Sequence, residues 1–146
     1  MILGAIDIGS NAARLLIAEV HTHNDITHYT KLNLLRIPIR LGFDVFEHGR
    51  IRREKARLLI KTMKAFKLLL DLYEVENFRI CATSAMRDAT NSREIIRRVK
   101  LTSGLKIEVI SGTEEANILY ENHLSANLIS GSTQLFVDVG GGSTEI

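Results

Sequence analysis

The sequence predicts an α/β domain on three observations. Strand-length apolar runs separated by turn residues open the chain, a long stretch of helical period with a basic outer face follows, and short strand and helix signals then alternate to the end. Ile2 to Ile6 is the first apolar run, closed by Asp7-Ile8-Gly9-Ser10-Asn11. Leu15 to Val20 and Ile26 to Leu35 follow, and the three read as successive antiparallel strands. Arg36 to Gly49 contains Pro38, Gly42 and Gly49 and reads as a loop. From Ile51 to Tyr73 the apolar residues Leu59, Met63, Phe66, Leu70 and Tyr73 recur every three or four positions, which predicts a long amphipathic helix.

Phe78 to Ala82 reads as a buried strand, with Cys81 a small buried residue within it. Asn91 to Val99 restarts a helix, with Asn91 as its cap and Glu94 three residues on. Lys106 to Ile110 is a further strand. Its end carries Ser111-Gly112-Thr113-Glu114, a capping-box pattern that occupies Glu114 with the backbone. Glu115 is left over, and it shares a helical face with Ile118 and Leu119, so its carboxylate is expected to point at a packed side or a cleft. After a connector from Ser125 to Ser132, Gln134 to Val137 starts a last apolar strand that runs into Asp138-Val139-Gly140-Gly141-Gly142-Ser143-Thr144-Glu145.

The 146 residues, 45% hydrophobic and 25% charged with a single Pro, fit a globular domain with a core and exclude a disordered tail, a collagen-like repeat or a disulfide scaffold. The single Cys81 permits no internal disulfide and no metal-binding Cys pair, which suits a reducing cytoplasm. No basic leader precedes the apolar start, and no apolar run reaches the length of a membrane span, so no membrane partner is expected. The net charge of +2 argues against a general nucleic-acid partner. The charge is nevertheless uneven: Arg50 to Lys67 holds eight basic residues against the lone acid Glu54. Such a run is either the solvated face of a helix or an anion-guiding surface, and a long polyanion is the partner that the second reading needs.

Ala5-Ile6-Asp7-Ile8-Gly9-Ser10 and Phe136-Val137-Asp138-Val139-Gly140-Gly141 form an internal repeat whose aspartates are 131 positions apart. Each is an apolar strand delivering an Asp, an apolar residue and a Gly-led turn with hydroxyls close behind. Glycine lets backbone amides approach an anion closely. The candidate phosphate-binding residues are therefore Gly9 and Ser10 in the first turn, and Gly140, Gly141, Gly142, Ser143 and Thr144 in the second. Asp7 and Asp138, at strand ends, have the oxygen donors of a hard cation such as magnesium. His21, His23 and His28 lie near one another but lack completing ligands and read as surface.

Four ordered segments carry a resemblance to a known family: Asp7-Ile8-Gly9-Ser10-Asn11, Ala82-Thr83-Ser84-Ala85-Met86-Arg87-Asp88-Ala89, Ser111-Gly112-Thr113-Glu114-Glu115-Ala116 and Asp138-Val139-Gly140-Gly141-Gly142-Ser143-Thr144-Glu145. Together they resemble the exopolyphosphatase and guanosine pentaphosphate phosphohydrolase family, part of the actin-like, Hsp70 and sugar-kinase superfamily with ribonuclease-H-like lobes. The resemblance implies a mixed five-stranded sheet with flanking helices over residues 1–125, and for residues 126–146 the connector and first strand and turn of a second, truncated lobe. It implies Asp7 to Asn11 as the first phosphate-binding turn, with Asn11 among the phosphate-binding residues, and Asp138 to Thr144 as the second. It also implies Glu115 as catalytic base, Arg87 as a catalytic arginine facing the phosphates, and Glu145 as an acid that supports either the attacking water or the metal, a Mg²⁺ ion at Asp7 and Asp138. From the residues alone, a surface salt bridge is the default for Arg87.

The implied reaction is hydrolysis of a terminal phosphoanhydride of inorganic polyphosphate or guanosine pentaphosphate, by a protein expected to be a homodimer when full length and inactive without its second lobe. The chain departs from the family at Asn117, where Arg is common, and at Ala12-Ala13-Arg14, where a hydroxyl or aromatic residue is common. Two rival functions stay open: an ATP-dependent phosphotransferase of the same superfamily, separated by acceptor-dependent ATP consumption, and a non-catalytic sensor of polyphosphate or guanosine polyphosphates, separated by tight binding without turnover.

Overall fold

A computed structural model describes residues 1–23, 26–124, 137–142 and 144–145. Strands β1 (Ile2–Ile8), β2 (Ala13–His23) and β3 (Ile26–Ile37) form the expected antiparallel meander. Strands β4 (Asn77–Ala82) and β5 (Glu108–Val109) add to the other side of β1 in parallel, giving a mixed five-stranded sheet of order β3-β2-β1-β4-β5. The helices are α1 (Leu41–His48), α2 (Arg53–Leu72), α3 (Ser84–Asp88), α4 (Ser92–Ser103) and α5 (Gly112–Leu124). A separate hairpin of β6 (Asp138–Val139) and β7 (Thr144–Glu145) ends the described chain. Among the described residues no helix is long and apolar enough to cross a membrane.

The period of two along each strand splits the sheet into unlike faces. Ile6, Ile8, Ala13, Leu15, Ile17, Ile80 and Ala82 are buried on one side, in a core with Leu59, Met63, Phe66 and Leu70 of α2 and Ile95 and Val99 of α4. On the other side, strand register sets Arg36, Arg14, Asp7, Cys81 and Glu108 in one row across all five strands. A slip of one residue would exchange these two sets, so burial of the apolar set fixes where Asp7 emerges.

Several local expectations change. The segment read as a loop at 36–49 contains helix α1, because Leu41 and Val45, four apart, are both buried in the core, and Gly49, at φ 67°, supplies the left-handed stop. Pro38 and Gly42 hid that spacing. Strand β4 is buried only at Ile80 and Ala82: Phe78, on the same side, is 44% exposed, and Cys81 is half-buried because it lies on the open face. The strand expected at Lys106 to Ile110 pairs only at Glu108–Val109. Asn91 takes the N-cap position of α4 as expected but makes no side-chain cap bond: its side chain instead accepts from the Ile51 N–H at 3.0 Å and donates to the Ile51 carbonyl at 2.8 Å, two bonds where a cap would make one. The short helix α3 was not expected. The connector from Ser125 to Ser132 and the strand start at Gln134 lie outside the described residues.

Candidate active site

The β1–β2 connection is a tight turn closed by the Gly9 N–H donating to the Ala12 carbonyl at 3.0 Å. Its remaining carbonyls anchor α1: Ser10 accepts from the Gly42 N–H and Asn11 from the Arg40 N–H, each at 2.8 Å. Arg40 adopts the left-handed conformation, φ 58° and ψ 50°, to make that bond. Bonding carbonyls to the fold leaves the amides of Ser10 and Asn11 as donors of the turn. Ser10 itself is buried, and its hydroxyl lies 2.7 Å from that of Ser84, the first residue of α3.

Asp7 sits just before this turn, with one carboxylate oxygen 4.0 Å from where a Cβ on Gly9 would stand. That oxygen accepts from Arg14 Nη1 at 3.1 Å. Burial raises the Asp7 carboxyl above the usual carboxylate range, and the Arg14 charge and hydrogen bond only partly oppose it. A carboxylate whose charge is made costly by burial suits a cation ligand, and its donor chemistry is that of hard ions. Among the described residues no cluster of three or more His, Cys, Asp or Glu is formed; His21 pairs with Glu19 at 3.1 Å.

The second glycine turn packs directly on the first. A Cβ on Gly141 would stand 3.6 Å from the Cβ atoms of both Ser10 and Asn11. One on Gly142 would stand 2.1 Å from Cζ of the Phe46 ring and 2.8 Å from the Ser10 hydroxyl, an approach open only to glycine. A Cβ on Gly42, on α1, would also crowd that ring, at 2.7 Å from its Cε2. Phe46 is thus the spacer against which Gly42 and Gly142 both rest, a role that reading its segment as a loop concealed. Register in the β6–β7 hairpin sets Asp138 opposite Glu145 and Val139 opposite Thr144. Ser143 and the side chains of Asp138 and Glu145 lie outside the described residues.

The two adjacent acids of α5 do separate by role, though not quite as expected. Ser111 caps the helix, its hydroxyl accepting from the Glu114 N–H at 3.1 Å. The Glu114 carboxylate does not return to the cap, because Arg79 Nη2 holds it at 2.7 Å, a bond in which donor and acceptor are both charged. Arg79 also pairs with Glu108 at 3.1 Å, and these two hydrogen bonds raise its pKa further. Glu115 turns the other way: its side chain is 17% exposed, and its Oε2 lies 3.5 Å from Arg87 Nη1. Arg87 in turn donates to the Ile110 carbonyl at 2.9 Å, tying α3 to the end of β5. Of the two apolar residues expected to share its packed side, Ile118 is 41% exposed and Leu119 is half-buried.

Ser10, Gly141 and Gly142 therefore meet at one point. Ser84 links that point to α3, and three residues along α3 stands Arg87 with Glu115. Burial pushes up the pKa of the Cys81 thiol, which lies beside Asp7 in register, so it stays protonated at neutral pH.

A mixed five-stranded sheet with flanking helices, followed by a second strand–glycine-turn unit, is the actin-like class of fold. The chain belongs to the Ppx/GppA phosphatase family, whose sequence model it matches over residues 17–146. It is 37% identical over 145 residues to a bifunctional 3-dehydroquinate synthase/phosphatase of Fusobacterium nucleatum, covering 97% of this chain and 22% of that protein. It is 34% identical over 144 residues to a guanosine-5'-triphosphate,3'-diphosphate pyrophosphatase of Vibrio cholerae, covering 97% and 28%. Among solved structures, an exopolyphosphatase from Cytophaga hutchinsonii superposes with a TM-score of 0.88 at 30% identity, over 99% of this chain and 45% of that one. The chain thus spans less than half the length of each of these relatives.

Proposed function

We propose that this chain is the N-terminal part of a phosphoanhydride hydrolase that releases terminal orthophosphate from inorganic polyphosphate or guanosine pentaphosphate. Residues 1–125 form one lobe in this reading, residues 126–146 begin a second, and the bond is cut between them. The observation that carries it is the packing of Gly141 and Gly142 on Ser10 and Asn11, which supports two amide-rich turns gripping one phosphoryl group. A phosphoryl transfer state carries its charge on the equatorial oxygens, and positioned donors lower its energy. The amides of Ser10 and Asn11, the hydroxyls of Ser10, Ser143 and Thr144, and the Arg87 guanidinium supply those donors.

Glu115 orients the attacking water in line with the leaving oxygen and takes its proton. The 3.5 Å approach of Arg87 fixes the direction of that carboxylate. Asp7, Asp138 and Glu145 are the residues that would hold Mg²⁺, which when bound neutralises charge on the phosphates. The intact protein, assayed for orthophosphate release from polyphosphate and guanosine pentaphosphate side by side, tests the reading. Release from either without an acceptor supports it. ATP consumption that requires an acceptor, or tight binding with no turnover at any Mg²⁺ concentration, overturns it in favour of a transferase or a sensor.

A further inference from the structure

The outer surface of the helical layer carries a charge pattern that the cleft does not use. On α2, Arg53, Arg57, Lys61 and Lys64 recur every three or four residues and are all exposed, on the side away from buried Leu59, Met63, Phe66 and Leu70. On α4, which packs beside α2, Arg93, Arg97 and Lys100 repeat the spacing, away from buried Ile95 and Val99. Among the described residues none of these seven cations joins an ion pair. Their neighbours do: Arg52 and Lys55 hold Asp44, Lys67 holds Asp71 and Arg98 reaches Glu94. A merely solvated helix face gains from opposite charges four apart, whereas like charges at that spacing, as in Arg53, Arg57 and Lys61 or Arg93 and Arg97, repel. Two packed helices both bear that repulsion, in a chain whose net charge is only +2.

We propose that the outer faces of α2 and α4 form a binding track for a linear inorganic polyphosphate chain, separate from the cleft and feeding it. The proposal rests on the hydrolase reading for its ligand. The α2 stripe extends about 16 Å at the helical rise, and its start adjoins the first glycine turn: Lys55 donates to the Arg40 carbonyl at 2.6 Å, and the Arg40 N–H donates to Asn11. Polyphosphate is favoured over single-stranded nucleic acid because neither helix exposes an aromatic ring for bases to stack on; Phe66 of α2 is buried.

The test uses the intact protein, labelled long-chain polyphosphate and two triple variants, Arg57→Gln/Lys61→Gln/Lys64→Gln and Arg93→Gln/Arg97→Gln/Lys100→Gln. Each is expected to weaken polyphosphate binding about tenfold or more and to flatten the slope of log affinity against log salt by about 2. The turnover of guanosine pentaphosphate, too short to reach the track, is expected to stay unchanged. Arg57→Lys, which keeps the charge, is expected to bind as the parent does. Unchanged affinity and slope in both triple variants overturn the track, as does a parent that binds RNA or anionic vesicles as tightly as polyphosphate. Failure of the hydrolase reading shows separately, as absence of orthophosphate release by the parent, because binding is read without turnover.

Discussion

The hydroxyls of Ser10 and Ser84 lie 2.7 Å apart, both side chains sealed from solvent, and join segments 74 residues apart in the chain. One proton makes that bond. If Ser84 donates it, Ser10 keeps its own for a ligand in the turn. Ser84→Ala is therefore expected to leave Ser10 buried and under-bonded, lowering stability by about 1–3 kcal/mol. Orthophosphate affinity should weaken with it. Urea unfolding and competition by orthophosphate measure the two effects, and retention of both would show that Ser84 does not serve the turn.

Gly142 and Phe46 give a coupled prediction. Gly142→Ala must push a methyl into the Phe46 ring, where 2.1 Å separates the would-be Cβ from Cζ. Turnover by the intact protein is expected to fall more than tenfold. Phe46→Ala in the same chain removes the obstacle and should restore part of the loss, with a coupling energy of about 0.5–3 kcal/mol across the double-mutant cycle. Purely additive losses would mean that the ring and the turn do not touch.

The sheet was legible because its signals are local: strand-length apolar runs punctuated by turn residues. The fourfold spacing of Leu41 and Val45 was as informative, but Pro38 and Gly42 masked it, and α1 was lost with the aromatic spacer it carries. Asn91 and Glu114 have the right chemistry for capping at the right positions. What deflects them is tertiary, a backbone clamp to Ile51 in one case and the Arg79 guanidinium in the other. That Glu114 and Glu115 would part was legible in the capping pattern, but it is Arg79 and not the cap that takes the Glu114 carboxylate. Ser84 lay inside a recognised motif, yet nothing in its local sequence says that its hydroxyl meets one 74 positions away.

Asp44 supplies the pH dependence of stability. It is 2% exposed, and although burial pushes its carboxyl up, Lys55 at 2.8 Å, the Arg52 N–H at 2.9 Å and the charges of Lys55 and Arg52 outweigh it, holding the group below the usual carboxylate range. A depressed folded value means the folded state releases its proton more readily. The stabilisation is thus present above the unfolded value of about 4 and lost as pH falls through the folded one. Asp44→Asn is expected to cost about 1–3 kcal/mol at neutral pH. Thermal unfolding at pH 7 and near pH 3 should show that gap closing in acid; a gap independent of pH would assign the loss to packing instead of charge.

Glu114 and Glu115 allow the sharpest comparison, because they are adjacent, carry the same group and differ only in what their carboxylates face. Glu114 holds Arg79 on the outer sheet surface, with both side chains about half exposed, and a pair of that kind contributes about 0–1 kcal/mol. Glu114→Gln is expected to leave turnover within about a factor of two of the parent, because the Ser111 cap uses the backbone N–H of residue 114 and survives the change. Glu115 faces Arg87 next to the paired turns, and losing a general base typically costs about 10²–10⁴ in rate. Glu115→Gln should fold normally and lose that much phosphate release with little change in KM, since Gln keeps the shape and loses only the proton acceptor. Arg87→Lys, which keeps the charge but replaces the planar guanidinium whose Nη1 meets both the Ile110 carbonyl and the Glu115 carboxylate, should fall between the two. Equal rates for Glu114→Gln and Glu115→Gln in the intact protein would remove Glu115 as the base, whatever its distance from Arg87.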